Sequence, residues 1–362
     1  MPSATPAPAP AHALTLPHPV IATLAPSSYL LAHLHPSNPS QPSIRPSSRS
    51  PSTFRPATCT TSSLTHTVGS AVIRCGNTAV VCGINAELLY ARDIADPPRD
   101  CSPEEELKRL QLLVPNVELA TGCSPGNLPG GPPSQEAQVL AQRVYALLLE
   151  SRVVSVEDLK VRWRRPRVEL DDEEEDRDEE DGEGEEETVA YWTLYASIHV
   201  LSLSGSSSLI DVAWAALMAA LRDVRLPKAW WNPDIERVVC SDRIDETRPL
   251  QLRGLPICCT WGVFVAGKSQ LGMQSTNGAE EKSISAKTLK DGSKAWLLAD
   301  PDDFEDPLCR ETVTLTIDAS KGVTKLLRVE KNGGGVLDVQ DIRALVGAAT
   351  ERWKEFSNVI MG

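Results

Sequence analysis

The sequence predicts an α/β or α+β protein in two halves, and three observations carry that prediction. Residues 69–88 hold a β-hairpin signature: 72–75 and 79–84 are rich in β-branched and small apolar residues, and Gly76-Asn77 between them supplies the positive φ of a tight primed turn. Two helical patterns, at 134–150 and 208–222, are each bordered by β-rich segments. Further β-rich stretches between 250 and 317 precede one last helical pattern, so strands and helices alternate through both halves.

Residues 1–25 form an Ala/Pro-rich tail without periodicity, a composition expected to be disordered. It lacks the basic start and continuous apolar core of a secretory signal, and no arginine precedes Arg45, so neither a secretory nor a mitochondrial leader is expected. Pro26-Ser27-Ser28 caps a short apolar segment ending at Leu34, enough for one or two helical turns. The Pro/Ser-rich linker that follows is anchored only at Ile44-Arg45-Pro46 and Phe54-Arg55-Pro56, so 26–56 reads as an N-terminal extension of a first domain at 57–228.

Beyond the hairpin, 114–119 reads as a strand, and Gly130-Gly131-Pro132-Pro133 turns the chain into Ser134, a natural N-cap. Ala137, Leu140, Ala141, Val144, Leu147 and Leu148 then recur at helical spacing, with Gln138, Gln142 and Arg143 on the polar face. Residues 159–168 and 188–203 are β-rich and flank an acidic block. Ser208 is placed to cap a helix to about Arg222 that is apolar round most of its circumference, as a helix buried on more than one side should be. Trp230-Trp231-Asn232-Pro233 marks a break near which a second domain, 229–362, begins. Its strands are expected at 250–265, 294–299 and 312–317, with a Gly/Ser/Lys-rich surface insertion at 267–293. A closing helix from about Asp338 carries Ile342, Leu345, Val346, Ala349, Trp353 and Phe356 at helical intervals.

At 362 residues and 41% hydrophobic content the chain is long enough for one large or two medium cores. No apolar run approaches the roughly 20 residues that span a bilayer, so no membrane segment is expected. Nine cysteines in odd number and without a CxxC pair argue against a zinc site or a disulfide framework and fit reduced thiols in a cytosolic or nuclear setting. The net charge of -13 is local: residues 169–187 hold 15 acids against Arg177 alone, which leaves the rest of the chain at +1. So dense a like-charge block reads as a solvated, disordered insertion joining two adjacent strands, with mimicry of RNA or docking of a basic partner as the functional alternative.

The wording of several segments is more specific than their pattern. The Gly-Ser-Ala strand at 69–71, the Gly-Asn-Thr turn at 76–78 and the Val-Cys-Gly strand that ends in Glu87 resemble the opening hairpin of the RNase PH family. Leu30-Leu31-Ala32-His33-Leu34, the two anchors at Arg45 and Arg55, Val114-Pro115-Asn116-Val117-Glu118, Gly131-Pro132-Pro133-Ser134-Gln135-Glu136-Ala137-Gln138 and Ala299-Asp300-Pro301 resemble one branch of it, the ring subunits of the eukaryotic RNA exosome. The resemblance covers about 26–356 apart from the two insertions. It implies an α+β fold of two stacked RNase PH lobes, in which mixed sheets are packed by helices. It also implies pairing with a second RNase PH-like subunit into a six-membered ring around a central RNA channel, with three cap proteins of oligonucleotide-binding fold on one face and a separate nuclease on the other. Such subunits serve rRNA processing and RNA degradation in nucleus, nucleolus and cytoplasm, without a membrane or a cofactor of their own.

Phosphorolysis needs an anion cradle beside the scissile linkage and carboxylates that hold a metal or manage the proton. Catalytic relatives carry Gly-Gly-Thr-Arg before the central helix, whereas this chain has Gly205 followed by Ser206, Ser207 and Ser208, and no arginine until Arg222. This is expected to be a degenerate phosphate site; a serine-lined active one is the enzyme alternative. Of two catalytic aspartates, Asp306 matches the position of one and the other falls near Thr312, so the acids at 302, 303, 305 and 306 read as a solvated turn. The expectation is therefore a protein without catalytic residues and without a metal. His66 and His199 stand beside no nucleophile motif. Arg92 and Arg99 after the hairpin, and Arg143 on its helix, are the candidate RNA contacts, since a guanidinium forks onto phosphate. The denser run at Arg162, Arg164, Arg165 and Arg167 abuts the acidic block and is expected to pair with it. A homo-oligomeric RNA-binding scaffold outside the exosome is the third reading.

Overall fold

The computed structural model describes residues 16–361 except 37, 39–40, 98–100, 131, 133, 165–185, 272–285 and 290. The extension opens with two short helices, α1 (His18–Leu24) and α2 (Pro26–Leu34), each started by a proline in its first turn. Helix α1 lies inside the stretch that Ala/Pro content marks as a tail. Helix α2 is longer than one or two turns because Leu30, Leu31 and Leu34 find an apolar seat: they pack against Phe264, Trp296 and Leu298 of the second half.

The first half is a six-stranded mixed sheet. Its strands are β1 (Ala57–Thr61), β2 (Gly69–Cys75), β3 (Thr78–Tyr90), β4 (Leu113–Leu119), β5 (Lys160–Arg164) and β6 (Glu186–Ser202). Cys75 pairs with Thr78, so Gly76 and Asn77 alone make the turn, and the positive φ of 57° falls on Gly76. Strand β4 runs parallel to β6, whereas β3 and β5 pair with β6 in the antiparallel sense. The acidic insertion therefore joins adjacent strands. Most of it lies outside the described residues, but Glu186 and Glu187 open β6, and Arg162 ion-pairs with Glu186 at 3.2 Å and with Glu157. Arg165 and Arg167 lie outside the described residues.

Between these strands sit α3 (Pro103–Arg109) and α4 (Gln135–Ser151). Ser134 caps α4 by accepting the Ala137 N–H at 3.1 Å, and Leu140, Val144, Leu147 and Leu148 bury the apolar stripe. Helix α3 is not apparent from hydrophobic spacing; a capping box between Ser102 and Glu105 starts it, a Ser-x-x-Glu signature legible at 102–105. The central helix α5 (Leu209–Asp223) packs on β2 and β3 on one side and on the second sheet on the other, so that every residue from Leu209 to Leu221 is buried. Its Trp214 is fully buried and donates its indole N–H to the Pro256 carbonyl at 2.8 Å.

Four short strands follow: β7 (Arg225–Leu226), β8 (Ala229–Asn232), β9 (Arg237–Cys240) and β10 (Arg248–Pro249). The tryptophan pair is a strand rather than a break. Trp231 leans on Trp163 of β5 at a ring distance of 6.4 Å, which holds the β8–β9 hairpin to the first half, and Pro233 lies just beyond β8.

The second sheet comprises β11 (Ile257–Ala266), β12 (Ala286–Thr288), β13 (Lys294–Ala299), β14 (Glu311–Asp318) and β15 (Lys325–Gly333), in the order β12-β13-β11-β14-β15. Residues 250–256 do not extend β11, because Gly254 at φ 150° and Pro256 break the strand before Ile257. The 267–293 insertion is not all surface: β12 pairs with β13, and Ser293 is buried. Strand β15 escapes the sequence pattern because it is a charged edge strand. The closing helix α6 (Val339–Met361) lies on β14, β11 and β1, so one apolar core runs through both halves. No described helix is long and apolar enough to cross a membrane.

Candidate functional site

Two turns that are distant in sequence meet where the halves join. One links β6 to α5 through Gly205 to Ser208; the other, 300–310, links β13 to β14. Both are set by the N-terminal extension. Arg45, 1% exposed, donates through Nη2 to the carbonyls of Thr53 and Ala299, each at 2.7 Å, and through Nη1 to Glu305 Oε2 at 3.0 Å. Arg55 forks onto Asp300, Nε to Oδ2 at 2.7 Å and Nη2 to Oδ1 at 2.5 Å, and its own N–H donates to Oδ2 at 3.1 Å. The same guanidinium reaches across to the Ser204 carbonyl at 2.9 Å and to Ser208 Oγ at 3.0 Å. The two anchors read in the linker are therefore buried cations that clamp the turns together.

Burial works against both charges of the Arg55–Asp300 pair. Even so, the guanidinium and the Arg55 N–H hold the Asp300 carboxyl below the ordinary carboxylate range, and Asp300 in turn raises the Arg55 pKa. Glu305 goes the other way: it is 0% exposed, and burial pushes its pKa up despite Arg45.

The expected solvated turn at 302–306 is corrected in part: Asp303 is exposed and Asp302 and Asp306 are half-buried, but the acids are engaged within the fold. Glu305 is buried on Arg45, Asp303 Oδ1 accepts the Gly205 N–H at 2.5 Å, and Asp306 Oδ2 accepts the Ser207 N–H and the Ser206 hydroxyl, both at 3.0 Å. The physical reason is the turn that leads into α5: the Gly205 and Ser207 N–H groups precede the helix and have no intrahelical acceptor, and they lie beside the positive end of its dipole. The second half supplies those acceptors. Ser208 is also corrected: its side chain makes no capping bond, because the hydroxyl accepts from Arg55 and has the Gly205 and Pro301 carbonyls within reach at 3.3 and 3.4 Å.

The backbone allows this fit only at glycine. Gly205 has φ +86°, and a Cβ there would lie 2.2 Å from the Pro301 carbonyl oxygen. Gly205→Ala is expected to cost about 2–4 kcal/mol, through left-handed strain plus separation of the two turns. A thermal melt in which the variant matches the parent would refute the close approach.

A cleft of about 520 Å³ opens beside the two turns, lined by Gln135, Glu136, Val139, Leu140 and Arg143 of α4 together with Ser206, Ser207, Leu209, Asp306 and Pro307. The structure thus brings together Arg143, the serines and Asp306, which sequence reading held apart. Arg143 is engaged: its Nε donates to Glu330 of β15 at 2.9 Å and Nη2 meets the same oxygen. Arg92 stands elsewhere, over the Tyr90 ring at 4.9 Å with Nη1 donating to the Glu236 carbonyl at 3.4 Å. Arg99 lies outside the described residues. His66 is exposed, and His199 Nδ1 lies 3.3 Å from Glu118. Among the described residues no group of three His, Cys, Asp or Glu could hold a metal ion, and all nine cysteines are free. Asp303 and Glu330 are the site residues that sequence reasoning missed. Neither carries a motif, although the Arg55 and Asp300 segments, each conspicuous on its own, are of opposite charge.

Residues 53–227 match the 3' exoribonuclease family, domain 1, of the RNase PH type. The exosome complex component rrp43 of Schizosaccharomyces pombe is 34% identical over 261 residues, 72% of this chain and 71% of that protein. The chain belongs to the RNase PH family. The exosome complex component Rrp42 of Pyrococcus furiosus is 23% identical over 294 residues, 81% of this chain and 79% of that protein. Among solved structures, a chain of the Archaeoglobus fulgidus exosome with RNA bound to the active site superposes with a TM-score of 0.57 at 21% identity, covering 93% of this chain and 98% of that one. A chain of an archaeal exosome core gives 0.54 at 19% identity, covering 94% and 99%. These likenesses establish the RNase PH fold, in agreement with the α+β architecture of two sheets with α5 between them.

Proposed function

We propose that this chain is a non-catalytic wall subunit of an RNA exosome ring. It pairs with a second RNase PH-like subunit, closes a six-membered ring under caps of oligonucleotide-binding fold, and supports 3'-to-5' processing and degradation of RNA threaded through the channel. The relatives named as exosome components support the assembly, and the same kinship supports work in nucleus, nucleolus and cytoplasm. One observation carries the non-catalytic part: the Gly205 and Ser207 amides, which face an anion in a working cradle, are taken by the chain's own Asp303 and Asp306. Inorganic phosphate would have to displace two carboxylates, with the Arg143 guanidinium of the cleft already committed to Glu330. In this reading Ser206, Ser207 and Ser208 are a degenerate phosphate site, Asp306 is a plug rather than a catalytic acid, and Arg92 is the described arginine left to meet RNA.

The purified chain, given RNA with a free 3' end and inorganic phosphate, is expected to show no phosphate-dependent shortening, before or after Asp306→Ala. Shortening that vanishes in the Asp306→Ala variant would establish a phosphorolytic enzyme instead. Affinity capture is expected to recover another RNase PH-like protein and the caps; recovery of the chain with neither would favour a free-standing RNA-binding scaffold.

A further inference from the structure

We infer that the cleft between α4 and the 300–310 turn has reversed its charge preference and receives a basic side chain, an arginine presented by an abutting protein subunit, where an anion site would be expected. The inference rests on the non-catalytic reading above and adds what occupies the cleft. Among the described residues its one lining cation, Arg143, is neutralised by Glu330. Its remaining described charged lining is acidic, Glu136 in the first turn of α4 and Asp306 of the 300–310 turn. Asp306 spends Oδ2 on Ser206 and Ser207, and its Oδ1 can accept from an incoming donor. Val139, Leu140, Leu209 and Pro307 contribute apolar walls, and Val139 is 52% exposed.

Apolar walls with two carboxylates in the lining match a side chain that has an aliphatic stem and a charged head. A guanidinium suits the pair better than an ammonium because its planar fork can serve two carboxylates at once. Phosphate would meet two uncompensated negative charges, and a nucleic-acid backbone would meet the same repulsion. An arginine borne by a protein neighbour also accounts for the apolar wall that stays open at Val139, since exposed apolar surface beside a cleft marks contact sites.

The test uses the full-length chain and two blocked pentapeptides, Gly-Gly-Arg-Gly-Gly and the same peptide with citrulline, which keeps the shape and removes the charge. Amide resonances of Leu140, Ser206 and Ser207 are followed during titration with each peptide and with inorganic phosphate. The arginine peptide is expected to move them with an affinity at least about tenfold above citrulline, the scale of one charge-assisted hydrogen bond. Phosphate is expected to leave them unmoved. Glu136→Gln, an exposed position that no described contact depends on, is expected to reduce the arginine preference several-fold without altering the fold. Equal binding of the two peptides, or no binding of either, would overturn the inference and leave the non-catalytic reading standing. Phosphate-induced shifts at these amides would overturn the inference, and joined to RNA shortening they would overturn the non-catalytic reading as well.

Discussion

Arg55→Met is expected to destabilise the protein by about 3–5 kcal/mol, enough to leave much of a typical domain unfolded at physiological temperature. The substitution keeps an unbranched apolar stem but strips Asp300 of its bidentate partner, and Asp300 is only 3% exposed. It also frees the Ser204 carbonyl and Ser208 Oγ, which belong to the other half, so the loss falls on the joint between the two sheets. A second substitution separates the unpaired charge from the lost packing. Asp300 sits at φ +52°, a conformation that asparagine tolerates, so Asp300→Asn in the Arg55→Met background removes the stranded charge without backbone strain. The double variant should be more stable than the sum of the single effects by 1 kcal/mol or more, on the order of known couplings between contacting residues. Urea unfolding followed by circular dichroism measures both. Additive losses would mean that the pair is not coupled and that Arg55 acts by packing alone.

The same joint shows where the sequence is legible and where it is not. Helices α4 and α5 can be read because burial of their faces repeats every three to four residues within one segment, and Ser134 can be read as a cap because its acceptor and donor lie three residues apart. Ser208 looks identical in one dimension, but its hydroxyl is claimed by Arg55 from 153 positions away. The acids after Asp300 look like a water-facing charge cluster for the same reason: the amides that hold Asp303 and Asp306 are 98 and 99 positions removed. Strand β15 hides because Leu326 and Val329 sit among lysines, arginines and glutamates on a half-exposed edge. Local periodicity thus reveals elements that bury a face of their own. Contacts between halves, which form the site, leave only unpaired hints such as the arginine at Phe54-Arg55-Pro56 and the aspartate at Ala299-Asp300-Pro301.

Asp211 supplies a pH-dependent effect of similar size. It lies in the first turn of α5, 7% exposed, and accepts the Thr260 N–H at 2.7 Å and the Thr260 hydroxyl at 2.8 Å from β11. Burial pushes its pKa up to about 7, with the nearby Asp300 charge adding to the shift, while the Thr260 hydrogen bonds and Arg352 oppose it. In the unfolded chain the group titrates near 3.9. Below about pH 4 both states hold the proton and the native form keeps its full advantage. Between about pH 4 and 7 only the native state holds it, so stability falls by roughly 1.4 kcal/mol per pH unit, and above pH 7 the loss is complete. Asp211→Asn cannot ionise, yet its amide oxygen can accept the Thr260 N–H while its NH₂ donates to the Thr260 oxygen, which lies 2.9 Å from the Thr314 hydroxyl. The stability difference, variant minus parent, is therefore expected to rise by about 2–3 kcal/mol between pH 5 and pH 8. Titrating groups that do not couple to Asp211 are common to both proteins and cancel in that difference. Urea midpoints measured for the two at both pH values decide it: parallel pH profiles would mean that Asp211 is ionised throughout and that the acid between the two sheets is a charge rather than a neutral hydrogen-bonding group.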